Sequence, residues 1–125
     1  MEKLAEKVAK GFRTNELSKE EGNKALNKLI ERFNEIEQLN LDEQLYPLKM
    51  IALHAQEKDS KKAFEAIRNL NIKNESKADM ICGEINYGTL YAKKEGIKLL
   101  KEIAPNLPSY FERDVLNCFK KYSSF

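Results

Sequence analysis

The chain has 125 residues, of which 42% are hydrophobic and 34% are charged, so it is long enough for one domain (residues 1–125) and too apolar to be disordered. Its 22 basic and 20 acidic residues are interleaved and leave a net charge of only +2, which argues against the basic stripe typical of nucleic-acid-binding domains. No apolar run reaches the roughly 18 residues of a membrane span, and the charged N-terminal segment lacks a signal-peptide core. We therefore expect a cytoplasmic domain that makes no contact with a membrane.

The first third of the chain predicts two helices joined by a turn. The spacing of apolar residues predicts one helix over Glu2–Phe12 and a second over Ser18–Gln38. Ser18 is followed three residues later by Glu21, which is the capping-box pattern that opens a helix. Gly22 lies early in the second helix and lowers its intrinsic stability slightly.

The middle of the chain predicts a helical hairpin. Its first helix begins at Asn40 or Asp42 and reaches about Glu57, and Pro47 fits there because it falls near the first turn, where amide donors have no partner. Its second helix covers Ser60–Leu70. The turn between the two is so short that the helices must be antiparallel.

The last third predicts two or three further helices. Ser76 opens a helix that reaches about Lys93. Residues 96–104 form either the last turns of this helix or a separate helix. The prolines that follow end this segment, because the residue before a proline disfavours the helical conformation. A final helix begins at Pro108 or Ser109. No strand-period run or hairpin turn is present. The sequence therefore predicts an all-α fold of five to seven short antiparallel helices, either a helical bundle or a short repeat-like stack.

One pattern of a small, a bulky and an apolar residue occurs twice, at Ala63, Ile67 and Leu70 and again at Gly96, Leu100 and Ile103, with Pro108 after the second. The two copies are 33 residues apart. In order and spacing they resemble the second helix of a tetratricopeptide repeat, and Tyr87-Gly88 followed by Tyr91 resembles the first helix of that repeat.

The resemblance covers about residues 45–120 and implies a concave groove that binds peptides or partner proteins. First-helix residues would line that groove, among them Lys49, His54, Glu84 and Tyr91. A second similarity, over residues 22–95, rests on the order of short helices. It is to the helical bundle at the end of a coat-protein subunit and in a steroid-receptor RNA activator.

The residue types that carry chemistry are sparse. His54 is the only histidine, and Cys82 and Cys118 are the only cysteines, so no metal-ligand spacing occurs and two buried, reduced thiols are expected. The five glycines are isolated, which excludes a phosphate-cradling loop. We therefore expect no catalytic residue, no metal and no cofactor. An enzyme would require His54 to lie beside Cys82 or Glu84 in a pocket.

The leading hypothesis is a non-catalytic protein-binding module, such as an adaptor, a small chaperone or an immunity- or inhibitor-type protein, whose partner is another protein or peptide. A homodimer is left open. Tyr87 and Tyr91, four residues apart on one predicted helix, would mark a docking face. The predicted partner-binding residues are Lys49, His54, Glu84, Tyr87 and Tyr91.

The alternative hypothesis is a nucleic-acid-binding helical domain that uses the lysines of its C-terminal part. It predicts that these lysines converge on one surface and that binding weakens steeply with salt. The lysines concerned are Lys93, Lys94, Lys98, Lys101, Lys120 and Lys121.

Overall fold

The computed structural model of the chain describes residues 1–110, 113, 117 and 118. The described residues contain no strand, which confirms the predicted all-α class. A π-helical turn (Lys10–Thr14) extends the first helix, and short 3₁₀ turns (Ile85–Tyr87 and Ala104–Asn106) precede and follow the last one. The seven α-helices whose ends both lie among the described residues are α1 (Glu2–Ala9), α2 (Lys19–Glu31), α3 (Phe33–Ile36), α4 (Leu41–His54), α5 (Glu57–Asn69), α6 (Asn74–Cys82) and α7 (Leu90–Ile103).

The centre of the fold is α4, which packs against all six other α-helices or their flanking turns. From Leu48 to Ala55 every residue except Lys49 is buried. The other long helices have one apolar face and one charged face, whereas this half of α4 is apolar nearly all round, which is typical of a helix enclosed by others. α5 follows it after a two-residue connection and packs along it, as the predicted hairpin requires.

The end of α1 and the start of α2 meet through their backbones. A Cβ atom added to Gly11 would lie 2.6 Å from the Cα atom of Gly22, and one added to Gly22 would lie 3.1 Å from the Cα atom of Gly11. Ser18 caps α2 as predicted, because its side chain accepts a hydrogen bond from the Glu21 amide. Gly22 is therefore explained by close packing and not by a weakness of the helix.

Two features of the predicted hairpin are wrong. Pro47 is the seventh residue of α4 and lies in its interior, so the Glu43 carbonyl cannot receive the usual hydrogen bond from position 47, which has no N–H. Ser60 does not open α5, which begins at Glu57. Ser60 lies within α5, is buried, and donates a hydrogen bond from its hydroxyl to the Ala52 carbonyl of α4. Its side chain therefore joins two helices and does not cap one.

The predicted helix from Ser76 to Lys93 is also wrong. α6 begins two residues earlier, at Asn74, and ends at Cys82. The chain then turns through residues 83–89, where the Thr89 amide donates to the Leu53 carbonyl of α4 at 2.9 Å. α7 runs without a break through Gly96, where an added Cβ would lie 2.6 Å from the Ile85 side chain. Residues 96–104 thus belong mainly to α7.

The two cysteines are joined, so the expectation of reduced thiols is wrong. Cys82 and Cys118 form a disulfide, with Cα atoms 6.1 Å apart, because the fold places Cys118 beside the end of α6. Ser109 and Tyr110 are helical, as expected for a final helix that starts near Pro108. Within the part of the chain that the structure describes, no helix is both long and apolar enough to cross a membrane.

We expect Gly11→Ala to lower the free energy of unfolding by about 1–3 kcal/mol, because the new methyl group would push apart two backbones that cannot move independently. Urea unfolding followed by circular dichroism measures this change. Gly83→Ala is the matched control, since a Cβ atom added there would contact only the Asp79 carbonyl oxygen, at 3.3 Å. We expect its free energy of unfolding to change by no more than about 1 kcal/mol. Equal effects of the two variants would contradict the close-packing explanation.

Candidate partner-binding groove

A groove runs along the N-terminal half of α4, between α1 on one side and α6 on the other. It consists of two adjoining depressions of about 430 Å³ and 570 Å³, which share Glu2, Asp42 and Tyr46. We call it the α1–α4–α6 groove. Its lining residues are Met1, Glu2, Leu39, Asp42, Glu43, Leu45, Tyr46, Pro47, Lys49, Ser76, Asp79 and Met80.

The rim of this groove is acidic. Glu2, Asp42, Glu43 and Asp79 are exposed, and none of them forms an ion pair with a described residue. Glu43 accepts a hydrogen bond from the Asn40 side chain at 3.1 Å, which leaves its charge uncompensated. The groove is therefore locally negative on a chain whose net charge is +2.

The floor of the groove is largely apolar and is supplied by α4. Leu45 and Tyr46 are half-buried, while Pro47 is buried. Asp42, Leu45, Tyr46 and Lys49 follow the i, i+3, i+4, i+7 spacing that places side chains on one helical stripe. At 1.5 Å per residue, this stripe is about 10 Å long.

Lys49, at one end of the stripe, belongs to an ionic cluster with Glu84 and Arg13. One Glu84 oxygen accepts from the Lys49 ammonium at 2.7 Å, and the other accepts from the Arg13 guanidinium at 2.6 Å. The side chains of Lys49, Glu84 and Arg13 are 13%, 19% and 24% exposed. The Lys49 ammonium also lies 5.0 Å from the centre of the Tyr46 ring. The cluster joins the turn after α1, the helix α4 and the connection before α7.

His54 lies near this cluster but lines neither depression of the groove. The residue is 7% exposed, and its ring stacks on Phe12, with ring centroids 4.6 Å apart. Its Nε2 atom is buried and has no hydrogen-bond partner among the described residues. Burial lowers the pKa of His54 to about 4, while the Glu84 charge acts in the opposite direction and Arg13 adds to the lowering. The imidazole is therefore neutral at physiological pH.

The structure separates the two tyrosines that were predicted to share a helix face. Tyr87 lies in a 3₁₀ turn and is 49% exposed, whereas Tyr91 lies in the first turn of α7. The extended residues Gly88 and Thr89 stand between them. Burial raises the pKa of Tyr91, and the charges that act on it belong to α5 and α7, including Glu95 and Arg68. Of the five predicted partner-binding residues, the structure brings together Lys49, His54 and Glu84, whereas Tyr87 and Tyr91 do not share a helix.

The predicted lysine surface is only partly described. Lys94, Lys98 and Lys101 are exposed and occupy one face of α7 at spacings of four and three residues. Lys93 is half-buried. Lys120 and Lys121 lie outside the described residues.

Sequence reasoning missed the acidic rim and Arg13. Glu2, Asp42 and Asp79 are far apart in the chain and each has the pattern of an ordinary helix-surface residue. The spacing of Asp42, Leu45 and Tyr46 was a usable signal, since it describes a mixed stripe facing outward from α4. Leu45 also lies in register with the apolar residues Leu48 and Ile51, so periodicity by itself places it in the core.

No protein-family model matches the chain, and neither does any curated protein or any solved structure. The resemblance to a tetratricopeptide repeat thus stays a prediction.

We expect Glu84→Ala to lower the free energy of unfolding by about 2 kcal/mol, because it leaves two partly buried cations without their shared carboxylate. Urea unfolding measures this loss. Glu20→Ala provides the control, since Glu20 and Lys24 form a pair with side chains 81% and 72% exposed, and such pairs contribute at most about 1 kcal/mol. A loss at Glu84 no larger than that at Glu20 would show that the cluster does not hold the three segments together.

We expect the protein to lose stability as the pH falls below about 6.5. The unfolded chain takes up a proton at His54 near its ordinary pKa of 6.5, whereas the folded chain does so only near 4. The stabilisation is complete above pH 6.5 and is lost as the pH falls towards 4, with about 2 kcal/mol gone by pH 5. Urea unfolding between pH 5 and 7.5 measures this dependence.

His54→Phe serves as the comparison, because it keeps a ring against Phe12 and removes the only imidazole. Its stability should change little over the same pH range. An unchanged pH slope in this variant would mean that groups other than His54 produce the dependence.

Proposed function

We propose that this chain is a non-catalytic protein-binding module, acting as an adaptor, a small chaperone or an inhibitor-type protein, and that it binds its partner in the α1–α4–α6 groove. The observation that carries the proposal is the combination in one concave surface of half-buried apolar side chains and four carboxylates that form no ion pair with a described residue. Concave apolar surfaces with a few polar groups are the usual binding sites of globular domains.

The ionic cluster supports this proposal by making one end of the groove rigid. Glu84 holds Arg13 and Lys49 with short hydrogen bonds, and charged hydrogen bonds of this kind restrict the side chains that take part. A binding surface that is ordered before the partner arrives costs less conformational entropy on association. Lys49 and Glu84 therefore act in binding mainly by shaping the groove, and His54 acts by packing beneath Phe12.

The cytoplasm is part of the proposal as the place of action. The Cys82–Cys118 bond does not favour that location, because disulfides are commonest in oxidising compartments. The proposed function itself does not depend on the compartment, since neither cysteine lines the groove.

A second candidate function is nucleic-acid binding through α7. The observation in its favour is the exposed row of Lys94, Lys98 and Lys101. Three lysines in a row neutralise few phosphates, and the groove carries the opposite charge. We therefore rank this function below protein binding.

Site-specific photo-crosslinking tests the proposed function. Ser76 is exposed and lines the groove, so Ser76→p-benzoylphenylalanine, expressed in the source cells and irradiated, should yield one discrete crosslinked product of higher mass that survives nuclease treatment. Glu65→p-benzoylphenylalanine is the control on the exposed face of α5, and it should yield no such product.

The mass of the crosslinked product and its sensitivity to nuclease distinguish the alternatives. A product of twice the chain's mass would identify a second copy of the chain as the partner. A product destroyed by nuclease would favour the nucleic-acid function. No product at Ser76, or equal products at both positions, would refute the groove as the binding site.

A further inference from the structure

The nature of the groove's occupant can be inferred from the charges at its rim. Glu2 lies on α1, Asp42 and Glu43 lie on α4, and Asp79 lies on α6, so negative charge surrounds the floor from three elements. Among the described lining residues, the positive groups are the amino terminus of Met1 and the Lys49 ammonium, which Glu84 already holds at 2.7 Å, so the four carboxylates outnumber them. The rim carboxylates would repel an acidic partner and attract a basic one.

The hydrogen-bonding groups at the rim point to the same conclusion. Carboxylates only accept hydrogen bonds, and Lys and Arg side chains only donate them. None of the four rim carboxylates forms an ion pair with a described residue, so a partner rich in donors would complement the rim.

The floor determines the shape of the occupant. It follows one helical stripe about 10 Å long, from Asp42 to Lys49, which corresponds to about two turns of a helix lying alongside. The walls are helices, and the described residues offer no sheet edge to which an extended peptide could add as a strand. Among the recurring modes of recognition, an amphipathic helix whose apolar face lies in a groove fits a floor of this length between helical walls.

We propose that the groove binds a basic amphipathic helix of a partner protein, with its apolar side chains on Leu45 and Tyr46 and its Lys or Arg side chains against Asp42, Asp79 and the other rim carboxylates. This inference rests on the proposed protein-binding function and adds the chemical class of the partner. Met1 and Met80 line the two depressions, and flexible thioether side chains of this kind adapt to different apolar surfaces.

Three synthetic helical peptides of about 15 residues test the proposal. The first carries leucines at i, i+3, i+4 and i+7 and lysines at the other positions. The second has glutamates in place of the lysines. The third has the composition of the first with the leucines spread around the helix. Fluorescence anisotropy measures the affinity of each for the full chain, and amide chemical-shift changes locate the site.

We expect the basic amphipathic peptide to bind at least about tenfold more tightly than the other two. Raising the salt concentration should weaken it, because rim charges are exposed and therefore screened. Shift changes should centre on Asp42, Leu45 and Asp79. Equal or tighter binding of the acidic peptide would overturn the proposal, and so would shift changes centred on another surface.

A pair of matched variants tests the rim directly. Asp42→Asn/Asp79→Asn removes two groove carboxylates, and Glu16→Gln/Glu65→Gln removes two exposed carboxylates outside the groove. Both change the net charge equally. We expect the first to weaken binding of the basic peptide by about tenfold and the second by less than about twofold. Circular dichroism confirms that both variants are folded, and equal effects would overturn the proposal.

The failure of this inference differs from the failure of the proposed function. If crosslinking at Ser76 captures a discrete protein while the basic peptide does not bind, the module binds a partner of another chemistry. If crosslinking at Ser76 yields no product, the proposed function itself fails.

Discussion

The burial of α4 is the constraint on which the rest of the structure depends. From Leu48 onward its side chains are enclosed by the surrounding helices, with Leu48, Ile51 and Leu53 completely inaccessible. Fully burying one such side chain contributes roughly 1.5–3 kcal/mol. The other long helices have one apolar face each, and α4 provides the surface that most of them share. Its position therefore determines where α1, α5 and α6 lie.

The first half of α4 is partly exposed and lines the groove, whereas its second half is buried in the core. Before Pro47, α4 faces outward between α1 and α6 and presents Asp42, Leu45 and Tyr46 to the groove. After Pro47 every residue of α4 except Lys49 is buried. Because the two halves belong to one helix, the packing of the second half sets the direction in which the first half runs between α1 and α6. The Glu84 cluster adds a second constraint at the junction, where it connects the chain before α7 to both α1 and α4.

Several structural features followed from local signals in the sequence, and several did not. Ser18 and Glu21 identified the start of α2, because a helix cap depends on neighbouring residues only. The roles of Gly11, Gly22 and Gly96 did not follow from local signals. At each position a side chain would collide with a residue that is distant in the sequence. The break between α6 and α7 was also missed. The break is stabilised by a hydrogen bond from the Thr89 amide to the Leu53 carbonyl of α4. A local sequence pattern cannot indicate a contact with another helix.

The sequence by itself determined the all-α class, because periodicity and capping are properties of neighbouring residues and need no knowledge of the fold. The expectation that Lys49 and Glu84 line one groove rested on the resemblance to a helical repeat and stays a prediction. Only the tertiary structure decided that Glu84 pairs with Lys49 and Arg13, which lie 35 and 71 positions away in the chain. It alone decided that carboxylates from α1, α4 and α6 surround one groove. The physical reason is that periodicity shows which face of a helix is buried, whereas the neighbours of that face depend on how all the helices pack together.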